Sequence, residues 1–169
     1  METGISTATL ERLLGQEGLS DWHVITQQMV NEYVDLCGDG KDEWLHLDPV
    51  RAAKEQPYGG TIVQGSFQVS HLVKLSGEAL RSLEGIDMNY ALNYGFDRLR
   101  FVNPLPVGAK FRARMRVLTL TPKDRGGYLL KQEVTLEKEN GEPTLVAEWL
   151  FYLAPQALAG AKEAGHAAS

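Results

Sequence analysis

The spacing of apolar residues along the chain predicts helices in its first half. Residues 25–37 carry apolar side chains at helical spacing, with Thr26 as a candidate N-cap. Pro49 is well placed to begin a short second helix, because its missing N–H costs nothing at that position. The longest helical pattern spans residues 61–83, and apolar residues surround much of it. We therefore expect this helix to be buried at the centre of the domain.

From residue 91 onward apolar and polar residues alternate, which is the pattern of half-buried strands. This alternation predicts four antiparallel strands, at residues 92–102, 110–120, 128–138 and 144–153. Turn-forming residues separate them, for example Asn140 and Gly141. Helices followed by antiparallel strands, with one long apolar helix to cover, predict an α+β fold in which a sheet wraps around that helix.

The same pattern suggests how the chain is divided. We expect a domain over residues 22–154, a loosely attached N-terminal arm at residues 1–21, and a flexible tail at residues 155–169. Four or five strands cannot enclose the long helix on every side. A second copy of the chain is therefore expected to complete its cover.

A row of bases lies on one face of the second predicted strand. Arg112, Arg114 and Arg116 alternate there with apolar residues. Two interpretations stay open: the arginines form ion pairs across the sheet with Glu133 and Glu137, or they bind the phosphates of a ligand.

Composition and charge narrow the functional classes. The chain has 169 residues, and 17 Lys and Arg against 22 Asp and Glu give a net charge of −5, which argues against broad binding to nucleic acid or anionic membranes. No apolar run approaches the ~20 residues that cross a bilayer. The four histidines and Cys37 show no metal-ligand spacing, and a lone cysteine forms no internal disulfide. Without an export signal at its start, the chain is expected in the cytoplasm.

The densest group of chemically capable residues lies between the first and the longest predicted helix. Carboxylates and His46 share a glycine-bounded loop at residues 38–48, close to the start of the helix predicted at residues 61–83. A helix N-terminus offers free N–H groups to an oxyanion, so this loop has the ingredients of proton transfer beside a carbonyl. The alternative interpretation is structural: the aspartates of this loop are turn residues, and His46 is a surface or capping group.

Several motifs in this region resemble those of a known family. The run GD…WLHLDP…PYGGTIVQG, at residues 38–65, is similar to the signature of the MaoC-like hydratases, particularly their NodN-type branch. LNYGFDRLRF at residues 92–101 and AEW at residues 147–149 also resemble that branch. The resemblance covers residues 25–153. It implies a hot-dog fold, an antiparallel sheet wrapped around a long central helix, and a dimeric assembly.

The resemblance also implies catalytic residues. His46 matches the family histidine, Gly65 matches the glycine whose N–H binds the thioester oxygen, and Asp39 matches the aspartate by its Gly-Asp context. The family interval from aspartate to histidine is five positions, whereas here it is seven (46 − 39). Counting back five positions reaches Lys41, with Asp42 one position away. Either Asp39 reaches the site from a bulged loop, Asp42 substitutes, or the acid is lost; we favour Asp39.

Other residues are weaker candidates. We expect the substrate to contact Gln64, Gly60, Asn93 and Tyr94, although Gln64 could equally face solvent and the last two could serve packing. His71 is expected to be a hydrogen-bonded packing residue, and Cys37 is expected to be a packing residue and not a nucleophile.

The implied reaction is hydration of trans-2-enoyl-CoA thioesters to (3R)-3-hydroxyacyl-CoA, or the reverse dehydration, which makes the chain a hydro-lyase. It implies no metal and no cofactor, because coenzyme A is part of the substrate, and it implies a homodimer or larger assembly. Two alternatives stay open: a hot-dog acyl-CoA thioesterase, and a non-catalytic acyl-thioester binding protein that has lost the acid.

Overall fold

A computed structural model describes residues 11–80 and 90–155, without the side chains of Leu80 and Arg125. The helices are α1 (Gln27–Cys37), α2 (Trp44–Leu47), α3 (Pro49–Glu55) and α4 (Gly65–Leu80). The strands are β1 (Glu17–Leu19), β2 (His23–Val24), β3 (Ala91–Phe101), β4 (Lys110–Pro122), β5 (Tyr128–Lys138) and β6 (Pro143–Leu153).

One antiparallel sheet packs against the long helix α4. Its strand order is β1-β4-β5-β6-β3, and β2 pairs with the start of β4. The inward residues of α4, including Leu72, Leu75 and Ala79, join one apolar core with fully buried sheet residues such as Leu130 and Leu136. The predicted α+β architecture, an antiparallel sheet around a central helix, is confirmed.

Helix α4 begins later than the apolar pattern indicates. It starts at Gly65, because the preceding residues are bonded to the chain between β3 and β4. The N–H of Val63 donates to the carbonyl of Leu105 at 2.8 Å, and the N–H of Val107 donates to the carbonyl of Thr61 at 2.9 Å. Backbone groups used in this way cannot join the helical ladder. The last predicted residues of this helix, 81–83, lie outside the described residues.

The described part of the N-terminal arm is attached more firmly than expected. Leu13 is fully buried in the core, and β1 pairs with β4 in a register that sets Gly18 opposite Met115. The hydroxyl of Ser20 accepts a hydrogen bond from the N–H of Ala113 at 2.9 Å. Residues 11–20 are therefore part of the packed domain. Residues 1–10 and the predicted tail after residue 155 lie outside the described residues.

The arginines on β4 form ion pairs with glutamates on the neighbouring strand β5. Arg112 and Arg114 both donate to Glu137, and Arg116 donates to Glu133 at 3.1 Å. Burial alone would raise the pKa of Glu137, but the hydrogen bonds from the two arginines hold it below the ordinary value. The ion-pair interpretation of this row is confirmed.

None of the helices in the described parts of the chain has the length and apolar character that crossing a bilayer requires.

Candidate active site

His46 lies on the one-turn helix α2 and is almost fully buried, with 8% of its surface exposed. Its ring atom Nδ1 lies 2.6 Å from the carbonyl oxygen of Ile62. A carbonyl only accepts hydrogen bonds, so Nδ1 carries the hydrogen. In the neutral ring the lone pair is therefore on Nε2, the nitrogen that a proton-transfer step would use.

Gln27, the first residue of α1, anchors the backbone on both sides of this histidine. Its Nε2 donates to the carbonyl of His46 at 2.7 Å, and its Oε1 accepts from the hydroxyl of Thr61 at 2.6 Å. The N–H of Ile62 also donates to the carbonyl of Leu45 at 3.1 Å. These bonds tie α2 to the segment that enters α4. Sequence reasoning missed Gln27, because its partners are far away along the chain.

The longer interval before His46 is taken up by consecutive tight turns. The N–H of Glu43 donates to the carbonyl of Gly40, and the N–H of His46 donates to that of Glu43. Gly40 has a positive φ of 82°, and a Cβ there would lie 2.9 Å from Cδ2 of His46. Gly40 is therefore needed both for the turn and for the close approach of the backbone to the imidazole.

Three carboxylates come from this loop, and they occupy different positions. Asp39 accepts a hydrogen bond from the hydroxyl of Ser66, in the first turn of α4. Glu43 lies with Oε2 3.4 Å from Nε2 of His46, within ion-pair distance of the protonated ring. All three carboxylates are exposed to solvent, as is Lys41, and Asp42 has no hydrogen bond or ion pair to another described residue. Glu43 is a candidate that sequence reasoning missed; its position three residues before the histidine was the available signal.

Asp39 is held by a small network at the N-terminal end of α4. The phenol of Tyr33 lies close to Ser66 and Cys37, and its ring stacks on Phe67 with centroids 4.3 Å apart. Burial raises the pKa of the Tyr33 phenol above its ordinary value. The N-terminal end of a helix favours a carboxylate, so the position of Asp39 is electrostatically stabilised.

Gln64 and Gly65 form the entrance to helix α4. Gln64 is buried, and its Nε2 donates to the backbone carbonyl of Asp39 at 3.3 Å, while its Oε1 has no partner. Gly65 lies under the ring of Phe101, and a Cβ at Gly65 would come within 2.7 Å of that ring. Like the other first-turn amides of a helix, the N–H of Gly65 lacks an intrahelical acceptor.

A cavity of about 380 Å³ opens between these elements. His46 and Ile62 line one wall, Gly65 and Gln68 line another, and residues 101–104 close it from the sheet side. The buried histidine and the N-terminal end of α4 thus face the same space. A bound carbonyl compound could meet a proton acceptor and an oxyanion donor in this cavity.

The remaining predicted contact residues lie away from this cavity within the single chain. Gly60 borders open space, and Tyr94 is exposed on the edge strand β3. The Oδ1 of Asn93 accepts a hydrogen bond from Nε1 of Trp149 at 2.7 Å. Across the described ranges, no three His, Cys, Asp or Glu side chains gather into a group that could hold a metal ion.

Two further sequence expectations concern residues near this site. His71 donates from Nδ1 to the carbonyl of Phe67 at 3.2 Å and packs on that ring, as expected of a packing residue. Cys37 is exposed at the end of α1, so a core packing role for it is wrong. Gly38, whose φ is 74°, ends helix α1 directly after Cys37.

Comparison with known proteins agrees with this fold. The family profile described as the MaoC like domain matches residues 11–140. The chain belongs to the MaoC-like dehydratase family.

Similar proteins include named enzymes. The chain is 35% identical over 150 residues to 3-hydroxyacyl-thioester dehydratase Z of Mycobacterium tuberculosis (strain ATCC 25618 / H37Rv), covering 88% of this chain and 95% of that protein. It is 32% identical over 148 residues to nodulation protein N of Rhizobium meliloti (strain 1021), covering 86% and 89%. The solved MaoC-like dehydratase from Rhodospirillum rubrum superposes with a TM-score of 0.68 at 20% identity, covering 89% and 97%, and shares the hot-dog fold. The family match and the similarity to a named dehydratase support hydration or dehydration chemistry in general.

Proposed function

We propose that this protein hydrates trans-2-enoyl-CoA thioesters to (3R)-3-hydroxyacyl-CoA, or catalyses the reverse dehydration. The observation that carries the proposal is the pairing of two features across one cavity. Ile62 holds the ring of His46 through Nδ1, and the N-terminal end of α4 at Gly65 lines another wall of the same cavity. Membership of the MaoC-like dehydratase family supports the same type of reaction.

In the proposed hydration, His46 and Asp39 hold one water over the double bond. Nε2 of His46 accepts a proton from this water as its oxygen bonds to C3 of the substrate. The electron pair of the double bond moves towards the thioester oxygen, where the N–H of Gly65 stabilises the developing negative charge. A proton then returns to C2, which completes the addition of water. Dehydration follows the same path in reverse.

We assign different roles to the two carboxylates in this scheme. Asp39, held by Ser66, orients the water, while Glu43 lies close enough to Nε2 of His46 to stabilise the imidazolium that forms. The scheme needs no metal and no redox cofactor. We further propose that the chain acts as a homodimer or a larger assembly, with coenzyme A as part of the substrate.

The test is an assay with purified protein and trans-2-enoyl-CoA thioesters of several chain lengths. We expect loss of the enoyl-thioester ultraviolet absorbance, with no release of free thiol, and a product that chiral analysis identifies as the (3R) alcohol. Release of free coenzyme A would instead indicate a thioesterase. Tight binding of the thioester without turnover would indicate a binding protein that has lost the acid.

A further inference from the structure

Gln68 places an amide group at the wall of the cavity. It lies on α4, three residues after Gly65, which corresponds to about 4.5 Å along the helix axis. It lines the cavity that also holds His46, yet only 3% of its surface is exposed. Its Oε1 has no hydrogen-bond partner. The amide is therefore a buried polar group that the protein itself leaves incompletely satisfied.

Such a group is costly in a folded protein, and the chemistry proposed above does not use it. A buried acceptor without a partner destabilises the fold, whereas an apolar side chain of similar size avoids that cost. The wall around Gln68 is otherwise largely apolar, with Val63, Val102 and Pro104 among its neighbours in the lining. An amide in this place is well suited to form a hydrogen bond with a polar group of the bound substrate.

We propose that Gln68 binds a hydroxyl or carbonyl group on the acyl chain, so that the preferred substrates are acyl thioesters with a polar substituent beyond the reacting carbons. This inference rests on the proposed function, because it takes the acyl chain to lie in the cavity past Gly65. The two ends of the amide are nearly isosteric, so a half-turn about its last torsion presents either the NH₂ or the oxygen to the cavity. Gln68 can therefore donate to a carbonyl or accept from a hydroxyl.

The kinetic test compares two matched substrates: a straight-chain trans-2-enoyl-CoA, and the same chain with one hydroxyl, placed in turn at each carbon beyond C4. We expect wild type to have the higher kcat/KM for one of the hydroxylated substrates. In Gln68→Leu, kcat/KM for that substrate should fall about tenfold, while the value for the plain chain is unchanged or rises. Equal losses for both substrates would overturn the proposal.

Gln132 provides the matched control. It is a buried glutamine on β5 whose Oε1 also lacks a partner, and its Nε2 contacts Sδ of Met115 at 3.7 Å, outside the cavity lining. Without ligand, Gln68→Leu and Gln132→Leu should both keep or raise the free energy of unfolding, because each removes an unpaired buried oxygen. Only Gln68→Leu should change the preference between substrates. Marked destabilisation by Gln68→Leu would mean a structural role and would also overturn the proposal.

A binding measurement separates this proposal from the proposed function. If wild type turns over neither substrate, the hydratase function fails, and calorimetry with the saturated hydroxylated and plain acyl-CoA thioesters tests Gln68 alone. Tighter binding of the hydroxylated thioester by wild type, lost in Gln68→Leu, would support the subsite. Equal binding of the two thioesters by wild type would refute it.

Discussion

The carbonyl oxygen of Ile62 lies 2.6 Å from Nδ1 of His46, and this contact connects the proposed chemistry to the fold. Ile62 belongs to the segment that enters α4, and its carbonyl determines which ring nitrogen carries the hydrogen. Removing the imidazole would therefore remove a proton acceptor and also leave a partly buried carbonyl without its donor.

His46→Ala should lower the hydration rate by at least about a hundredfold, the usual contribution of a general base. It should also destabilise the fold by about 1–3 kcal/mol, because the carbonyl of Ile62 loses its partner. His46→Asn is the matched control, since its amide NH₂ can still donate to that carbonyl but offers no base. We expect His46→Asn to be as inactive as the alanine variant and closer to wild type in urea unfolding. Activity within a few-fold of wild type in either variant would leave His46 a purely structural role.

Replacing each of the three loop carboxylates by its amide should lower kcat by a different factor. Asp39→Asn should reduce kcat about a hundredfold or more, because the water loses its orienting acceptor. Asp42→Asn should change kcat less than about twofold, since Asp42 is bonded neither to His46 nor to α4. Glu43→Gln should cost about tenfold at most, because 58% of its side chain is exposed and water screens its charge on the imidazole. Steady-state kinetics checks all three, and a larger loss from Glu43→Gln than from Asp39→Asn would transfer the acid role to Glu43.

Ser66 should act as a positioning residue for Asp39. Ser66→Ala removes the hydroxyl that donates to the Asp39 carboxylate, so kcat should fall about threefold to tenfold while KM stays nearly constant. Ser66→Thr keeps the hydroxyl and should retain most of the rate. Tyr33→Phe, which removes only the outer member of this network, should have a smaller effect. A loss in Ser66→Thr equal to that in Ser66→Ala would show that packing at this position, and not the hydroxyl, matters.

The long elements could be predicted from the sequence because each shows many repeats of its own period. The strand predicted at residues 128–138 is β5, and the helix predicted to end at Cys37 is α1, where Thr26 caps the N–H of Met29. The strands β1 and β2 have three and two residues, too few to show alternation, so no pattern indicated them. The single turn of α2 was likewise hidden within a polar loop.

The site was predictable only in part, for a different reason. His46 stood out because the motif around it is local. Gln27, by contrast, bonds to Thr61 across 34 positions, and Ser66 bonds to Asp39 across 27. Such partners are fixed by how α1 and α4 pack, which a single sequence without an alignment does not encode in any local pattern.

The stability of the fold should fall when the solution is acidified, in part because of His71. Burial lowers the pKa of His71 below its ordinary value of 6.5, with the charge of Lys74 acting in the same direction and a hydrogen bond to Phe67 opposing both. Below about pH 6.5 the unfolded chain binds a proton that the folded chain does not, so the free energy of unfolding decreases as pH falls. The dependence levels off once the pH is below the folded pKa.

Urea unfolding at about pH 7.5 and about pH 5.5 tests this dependence. His71→Gln can keep the bond to the Phe67 carbonyl but does not titrate, so its stability should vary less between the two conditions. Glu137 affects the free energy of unfolding in a separate, more acidic pH range. Its pKa is lowered from 4.5, so the stability that it provides is lost only as the pH falls below about 4.5. A His71→Gln variant with the full wild-type pH dependence would assign the effect to other groups.

The edge strand β3 should form the contact between two copies of the chain. It lies at the end of the sheet and pairs only with β6 among the described residues, so its other edge offers unpaired backbone groups. Leu92 is 65% exposed and Tyr94 is 63% exposed on this strand, and a long apolar edge of this kind favours pairing with a second copy. Phe101, which covers Gly65, lies at the end of the same strand, so pairing there would also affect the site.

We therefore expect a dimer at micromolar concentration in sedimentation velocity. Leu92→Lys should shift the protein towards monomer, because a charge at the contact is costly to bury. It should also lower the activity at low protein concentration. Val50→Lys on α3 is the control: Val50 is similarly exposed, at 68%, but lies on a helix and not on the edge strand, so this variant should remain dimeric. A wild-type monomer at micromolar concentration would refute edge pairing, and so would a dimer that Leu92→Lys leaves as stable as Val50→Lys does.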